Sequence, residues 1–586
     1  MALGDIDVRA RTLGKTVSRR MFLRASAGVF GLTLLAACGG DDDPPAAPAA
    51  TTAPDATAAP ADATEAPMEA TPTAAGDAVR GVEIPQFDNP APGEKQGSQP
   101  EELVMAWGTS QFAGHGIDPQ RHVGTIAETQ LRHMYEPLVK FERDLQTISP
   151  ALATAWERID DLTVQFTLRE GVTFHNGEEF NAEAVRYSIL RPLSDETPGD
   201  TRSTYAIISD VVVVDDYTVN VVTSSPDPAL LARMTGFHTT IVAPEWAAQG
   251  PETVASEANG TGPYKLVSWS PNEDLVLESN EDYWGGAPSI KKVRLKTIVE
   301  QATRVAALRS GEVHVAKDMP PEEIQGINDS GRARVVRAVS NRVPFYFMTV
   351  EIEPFDDPRV RQAINYAANV AGVIDAIVLG NANRVSTVLG PWIFGFDPDL
   401  EPYPHDPDRA RELLAEAGYP DGIDIQIWHI QGRYPKDKEV AEAMAQEMAA
   451  AGIRCTPELR EAATLTELQI AKETPGLIFA SWGNWFFDAD NTFVPLFGCQ
   501  QAAAFNDWRR PYGCNQELED LLQAARIELD VATRLDLYKQ AQRVFYDDAG
   551  ALFMYQLVDI FGVDNWVSWE PRHEEMMWAH DMEWNI

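Results

Sequence analysis

The tightest limit on what this chain can build is the stretch from Asp41 to about Pro100. It consists of Ala, Pro, Thr, Asp and Glu with almost no large apolar residue. Such a segment cannot bury enough apolar surface to offset the entropy lost on ordering, so it is expected to be disordered. As a flexible chain, its ~60 residues span ~45 Å, and the prolines stretch it further. That is the reach of a tether. It divides the 586 residues into a short leader and a body that starts near Glu101. The body exceeds the roughly 250–300 residues over which one hydrophobic core keeps growing, so at least two lobes are expected.

The leader carries two signals. Ser18-Arg19-Arg20-Met21-Phe22-Leu23-Arg24 resembles a twin-arginine export signal. The apolar run Ala25 to Ala37 behind it is too short, and too rich in Gly and Ala, for a spanning helix. It ends in Leu35-Ala36-Ala37-Cys38-Gly39, which looks like a lipobox whose Cys38 thiol would receive diacylglycerol before cleavage. An ordinary signal peptide with an incidental cysteine is the alternative. The formal net charge of −40 argues against nucleic acid or anionic lipid as a partner, since phosphates would be repelled. A solvated acidic surface explains that charge as well as a cationic solute would.

Within the body, short strands alternate with helices. Leu103 to Trp107 reads as a strand, Ile117-Asp118-Pro119 as a turn, and Ile126 to Met134 as a helix. Thr163 to Leu168 alternates as a half-buried strand should, Gly171 and Asn176-Gly177 are turn residues, and Asn181 can cap a helix through Ile189. Glu300 to Gly311 reads as a helix with Gly311 as its stop; Pro407 to Gly418 and Val440 to Ala451 follow the same logic. This alternation suits α/β sheets covered by helices. The chain has no P-loop, dinucleotide fingerprint, G-x-S-x-G elbow or H-E-x-x-H helix. His115, His122 and His133 share no helical face, and no acidic or cysteine cluster completes them, so neither a metal nor a cofactor is expected.

Five motifs occur in a fixed order: Leu168–Gly177, Gly260–Leu266, Asn280–Trp284, Phe355–Ile364 and His405–Leu414, followed by Trp482–Asn491. Together they resemble the extracytoplasmic solute-binding proteins of the peptide/nickel type, family 5, which deliver ligands to ABC importers. The resemblance runs from about Leu103 to the C-terminus. It implies a two-lobed α/β periplasmic-binding-protein fold (type II, cluster C-like) with a hinge and an additional small domain on the first lobe. The implied division is signal peptide 1–37, tether 38–100, first lobe 101–143, additional domain 144–259, first lobe again 260–345, second lobe 346–551 and a return to the first lobe over 552–586. The implied function is that of a binding lipoprotein, not an enzyme, which closes on a small organic solute and presents it to permease transmembrane subunits. A peptide or peptide-like solute, a sugar and an opine are the candidate classes. The partner membrane is reached through Cys38, at the periplasm or the outer face of the cytoplasmic membrane, and the protein is expected to be a monomer. An extracytoplasmic enzyme or a ligand-dependent receptor on the same scaffold is the alternative.

The resemblance also points to residues. Val123, Gly124 and Thr125 fall where the family lines its cleft, Tyr205 where some members place a cleft-facing tyrosine, and Trp482 at a ligand-contacting tryptophan. Three residues on, peptide binders carry an aspartate for the ligand ammonium; here the position is Trp485, a stacking surface. Asp488 and Asp490 either meet the ligand or shape the loop through local bonds. Trp107, Trp392 and Trp428 face either the cleft or the core, and Arg342 could anchor a carboxylate. Cys499 and Cys514 match a cysteine pair of related members and are expected to form a disulfide, which an exported protein can keep oxidised.

Overall fold

The computed structural model describes the backbone of Thr73–Ala74 and residues 86–586, except 110–111, 113–114, 123, 200–201, 431–433, 435, 462–463, 466, 468–475 and 500–511. The sites expected at Arg19, Arg20, Cys38 and Val123 lie outside the described residues.

Two mixed sheets organise the body. The first has eight strands: Ala333–Val339, Tyr555–Asp564, Val315–Ala316, Leu103–Trp107, Lys292–Thr297, Asp274–Ser279 and Tyr264–Ser270 in that order, with Ala382–Arg384 pairing to Tyr555–Asp564 off the path. Leu103–Trp107 is parallel to both neighbours, whereas Tyr555–Asp564 is antiparallel to all three of its own. All ten residues of Tyr555–Asp564 are buried, the pattern of a strand covered on both faces. The second sheet has five strands in the order Ile453–Arg460, Ile423–Ile430, Gly476–Gly483, Arg342–Phe347, Ala551–Phe553. Its core is formed by Ile425, Ile427, Leu477 and the helix residues Val440 and Met444. A separate four-stranded antiparallel sheet runs Ala153–Asp160, Thr163–Leu168, Thr218–Thr223, Ile208–Asp215.

The chain changes sheet abruptly. Only Ser340 and Asn341 separate Ala333–Val339 from Arg342–Phe347, and only Met554 separates Ala551–Phe553 from Tyr555–Asp564. Two crossings this short, side by side in sequence-distant strands, restrict relative motion to rotation about them.

Local chemistry sets the element ends. Asn181 caps the helix Ala182–Leu190 by accepting from the Ala184 amide at 3.1 Å. Gln301–Ser310 stops at Gly311 in the left-handed region, φ 80°. The glycines of Gly260-Thr261-Gly262 serve a close approach: a Cβ at Gly260 would sit 2.1 Å from the Met134 carbonyl oxygen. His175 locks onto this turn, donating its backbone N–H to Gly260 O at 2.9 Å, with ring Nε2 2.9 Å from Gly262 O. The two most motif-like stretches of the sequence are thus one structural joint.

Candidate functional site

A cavity of about 40 Å³ lies at the crossings. One wall is the helix Thr125–Leu131 with the residue beyond it: Thr125, Glu128 and Arg132 are spaced to share one helical face. The helix starts at Gly124, whose φ of 143° suits only glycine. The opposite wall is the end of strand Gly476–Gly483 and its loop, with Gly483, Trp485 and Phe487. Asn341 of the crossing and Glu574, Met576 and Trp578 of the C-terminal segment complete it, with Lys140 and Phe141 beside them. That segment is tied down at several points. Met577 N donates to Thr129 Oγ1 at 2.9 Å, Ala579 N to His133 Nε2 at 3.0 Å, and Asn341 N to His573 O at 2.9 Å. The cavity has room for a few waters, against about 300–1,000 Å³ for a typical small-molecule site, so a solute enters only if the walls separate.

Charges crowd the site. Burial pushes the Glu128 carboxyl above the usual glutamate range; Arg132, bonded to it at 3.0 Å, opposes this, and the nearby charge of Glu574 adds to it. Behind the cavity, Arg342 holds Glu575 at 2.6 Å, Thr125 Oγ1 at 2.9 Å and Ser481 Oγ at 3.3 Å. Lys317 lies 3.4 Å from Glu575 and 3.3 Å from Asp559. Burial would raise Glu575, but Arg342 and Lys317 hold it well below the usual range. Asp559 goes the other way: burial lifts its carboxyl, Lys317 opposes that, and Glu575 adds to it.

The expected site residues separate into groups. Thr125 and Trp485 line the cavity. Trp482 packs on Trp485, ring centroids 5.2 Å apart, and donates its indole N–H to Asn491 O at 2.7 Å. Asp488 is clamped by Arg534 at 2.7 and 2.8 Å and also accepts from the Asp490 amide. Asp490 is paired with Arg526 at 3.0 Å and with Arg233. Both carboxylates are thus neutralised by arginines as well as shaping their loop. Arg342 is engaged with Glu575 rather than free for a ligand carboxylate. Trp107, Trp392 and Trp428 are buried and do not line the cavity; Trp107 ends a strand in which all five residues are buried, so neither face opens to a cleft. Trp428 donates to Glu458 at 3.2 Å, and the Trp392 ring sits 6.0 Å from that of His573. Tyr205 is buried against His238, rings 5.6 Å apart. Cys499 and Cys514 are joined by a disulfide.

Glu128, Asn341, Glu574 and Trp578 line the cavity without having been singled out in the sequence. The one signal available was the C-terminal stretch Trp569 to Trp578, too rich in aromatic residues for a solvated tail. Among the described residues, five side-chain atoms of the lining are buried without a hydrogen-bond partner: Arg132 Nε, Asn341 Oδ1, Glu574 Oε2, Trp485 Nε1 and Trp578 Nε1.

Two sheets joined by short crossings, with a small, partly polar cavity where they meet, are the architecture of a two-lobed binding protein. The chain belongs to the bacterial extracellular solute-binding proteins, family 5 Middle, whose match covers residues 147–504. Members of this family are extracytoplasmic transport binding proteins of ABC transporters, not enzymes. The heme-binding protein A of Haemophilus influenzae is 29% identical over 452 residues, 73% of this chain and 82% of that one. The dipeptide-binding protein of Escherichia coli is 29% identical over 476 residues, 76% of this chain and 88% of that one. The solved structure of the ABC transporter-associated periplasmic binding protein DppA from Helicobacter pylori, in complex with peptide STSA, superposes with a TM-score of 0.72 at 26% identity, covering 83% of this chain and 98% of that one. Among the described residues, no helix is long and apolar enough to cross a membrane.

Proposed function

We propose that this protein captures a small organic solute in the cavity at the crossings and hands it to the membrane subunits of an ABC importer. Export is directed by Arg19 and Arg20, and diacylglycerol on Cys38 holds the protein, as a monomer, at the membrane. The first lobe comprises 101–143, 260–345 and 552–586 with 144–259 added to it; the second comprises 346–551. Rotation about Ser340–Asn341 and Met554 opens and closes the cavity, and the solute shifts that equilibrium toward the closed form.

The observation that carries this reading is the set of five unpaired polar atoms on residues that line one cavity. Each costs on the order of 1–3 kcal/mol when left unmade, a cost that a polar solute removes on binding. The relatives named for dipeptide, heme and peptide support an organic solute of peptide or peptide-like size. Trp485, with Trp482 behind it, favours one with a flat or apolar portion, so a sugar or an opine also fits.

Native mass spectrometry of the purified chain, with identification of any co-purifying mass and a screen of peptides, sugars and opines, tests the reading. A solute bound and recovered chemically unchanged is expected. Conversion of the solute, or failure of every class to bind, refutes it. Cys38→Ala is expected to release the protein from the membrane fraction; continued retention refutes the anchor.

A further inference from the structure

The stretch just before Glu101 is fastened to the body over Gln86 to Gln96. Ala333–Val339 is the edge strand of the first sheet, and Val335, Arg337 and Val339 turn their backbone groups away from the neighbouring strand. Side chains meet them. Asn328 Oδ1 accepts from Val335 N at 2.8 Å, and His573 Nδ1 donates to Val339 O at 2.9 Å. Between the two, Asn89 takes the place of a paired strand residue: its Oδ1 accepts from Arg337 N at 2.7 Å, and its Nδ2 donates to Arg337 O at 2.9 Å. Phe87, the first aromatic residue after Phe30, packs on the core with the Arg337 guanidinium 4.4 Å from its ring centroid.

Both ends of this segment reach the C-terminal part of the chain. At one end Gly93 N donates to Asn565 Oδ1 at 3.0 Å, Asn565 Nδ2 to Glu94 O at 3.2 Å, and Trp566 Nε1 to Gln96 O at 3.0 Å. At the other, Gln86 Nε2 lies 3.4 Å from His573 Nε2. Because Nδ1 of that ring donates to Val339 O, its Nε2 is the acceptor. His573 also holds the crossing, through the bond from Asn341 N to its carbonyl at 2.9 Å. The next residue in the chain is Glu574, in the cavity wall. Glu574 to Met576 therefore lie between two sets of ties: His573 on one side, and Met577 and Ala579, bonded to Thr129 and His133, on the other.

We propose that residues 86–96 are a clasp that positions the cavity wall: by joining the edge strand to the C-terminal segment, they hold Glu574, Met576 and Trp578 and the crossing at Asn341 in place. No clasp residue lines the cavity, so its effect passes through the residues it holds. The proposal rests on the carrier reading only for what the cavity encloses.

The test is hydrogen exchange of the full chain without solute, read by mass spectrometry in the wild type, Asn89→Ala and Gly93→Val, with melting temperatures alongside. Asn89 is half-buried and Gly93 exposed, so both changes spare the core. A Cβ at Gly93 would come 2.9 Å from Asn565 Nδ2, so Gly93→Val pushes those two residues apart. In both variants, peptides carrying Arg337, Asn341 and Met577 are expected to exchange at least 10-fold faster. A peptide carrying Ala184, whose amide Asn181 holds, is expected to be unchanged. Acceleration confined to Arg337 means that the segment only covers the strand edge, and overturns the proposal. Unchanged exchange at all three positions overturns it too, as does acceleration that extends to Ala184 in both variants, which is the mark of global unfolding. No solute enters the measurement, so each of these outcomes leaves the carrier reading standing.

Discussion

The ion pair between Arg233 and Asp490 links the two halves of the body. Arg233 ends the helix Leu230–Arg233, which follows the four-stranded sheet; Asp490 opens the helix Asp490–Phe497, which follows strand Gly476–Gly483 of the five-stranded sheet. Each residue also has a partner on its own side. Arg233 Nε holds Asp227 at 2.9 Å, and Asp490 holds Arg526 at 3.0 Å. If the cavity opens by rotation at the crossings, the pair separates and neither charge is left without a counterion, so the link is reversible. Asp490→Asn removes a charge-assisted hydrogen bond from the closed form only. Breaking a buried pair outright costs about 3–5 kcal/mol, but the retained Asp227 limits the loss to the ~1.5–3 kcal/mol of a hydrogen bond to a charged group. At 1.4 kcal/mol per factor of ten, closing weakens ~10- to 150-fold, and solute affinity falls with the closed fraction. Small-angle scattering without solute, and titration of the solute recovered from the wild type, read the two effects. Asp424→Asn, which breaks an exposed pair with Arg454, is the control and is expected to change neither. The pH behaviour follows from the sign of the shift. Burial would raise the Asp490 carboxyl, but Arg233, Arg526 and Arg534 hold it below the usual aspartate range. Its contribution is therefore complete above the ordinary aspartate pKa of about 3.9 and is lost only as pH falls through the depressed value. The difference between wild type and Asp490→Asn should be constant from about pH 5 to 8. Identical scattering and affinity in the two proteins, or a difference that vanishes near pH 6, would refute the argument.

Buried histidines predict acid lability. Burial is the first cause that lowers His133 to about 3, and His175, His238 and His580 to about 4. They stay neutral in the fold and gain protons on unfolding, so their contribution is full above about pH 6.5 and is lost as pH falls toward their folded values, at ~1.4 kcal/mol per pH unit for each. The raised carboxyls of Glu128, Glu136 and Asp559 oppose part of this slope. Calorimetry should still show the melting temperature falling between pH 6.5 and 5, and a flat or rising profile would contradict the balance. Trp485→Ala removes a half-buried ring and should lower affinity for the recovered solute ~10-fold, with little change in melting temperature; unchanged affinity in a calorimetric titration would exclude it as a wall of the site. Replacing Cys499 and Cys514 by serine opens a loop with a sequence separation of 15 and should cost ~3 kcal/mol in denaturant unfolding while leaving solute affinity unchanged.

What could be read from the sequence was what depends on neighbours in the chain. Asn181 and Gly311 end their helices through atoms a few residues away, and the strand Thr163–Leu168 announces itself by its alternation. Arg342 shows where such reading stops. As a residue type it suggested a carboxylate anchor, and a carboxylate is indeed there, but it is Glu575, 233 positions later. Trp107, Trp392 and Trp428 show a different limit: aromatic character says that a ring will be buried, not whether it meets a cleft or a core, and these three are buried away from the cavity. The cavity combines both difficulties. Its walls come from a helix near residue 125, a loop near 485, a crossing at Asn341 and a segment around Glu574, and no spacing in the sequence links them. They meet because the chain passes from the first sheet to the second at Ser340–Asn341 and from the second back to the first at Met554, which brings the C-terminal segment back beside the outgoing crossing. Residues placed at such a junction experience any rotation of the two sheets directly. The same topology that hid the site from sequence reading therefore couples its contents to opening and closing.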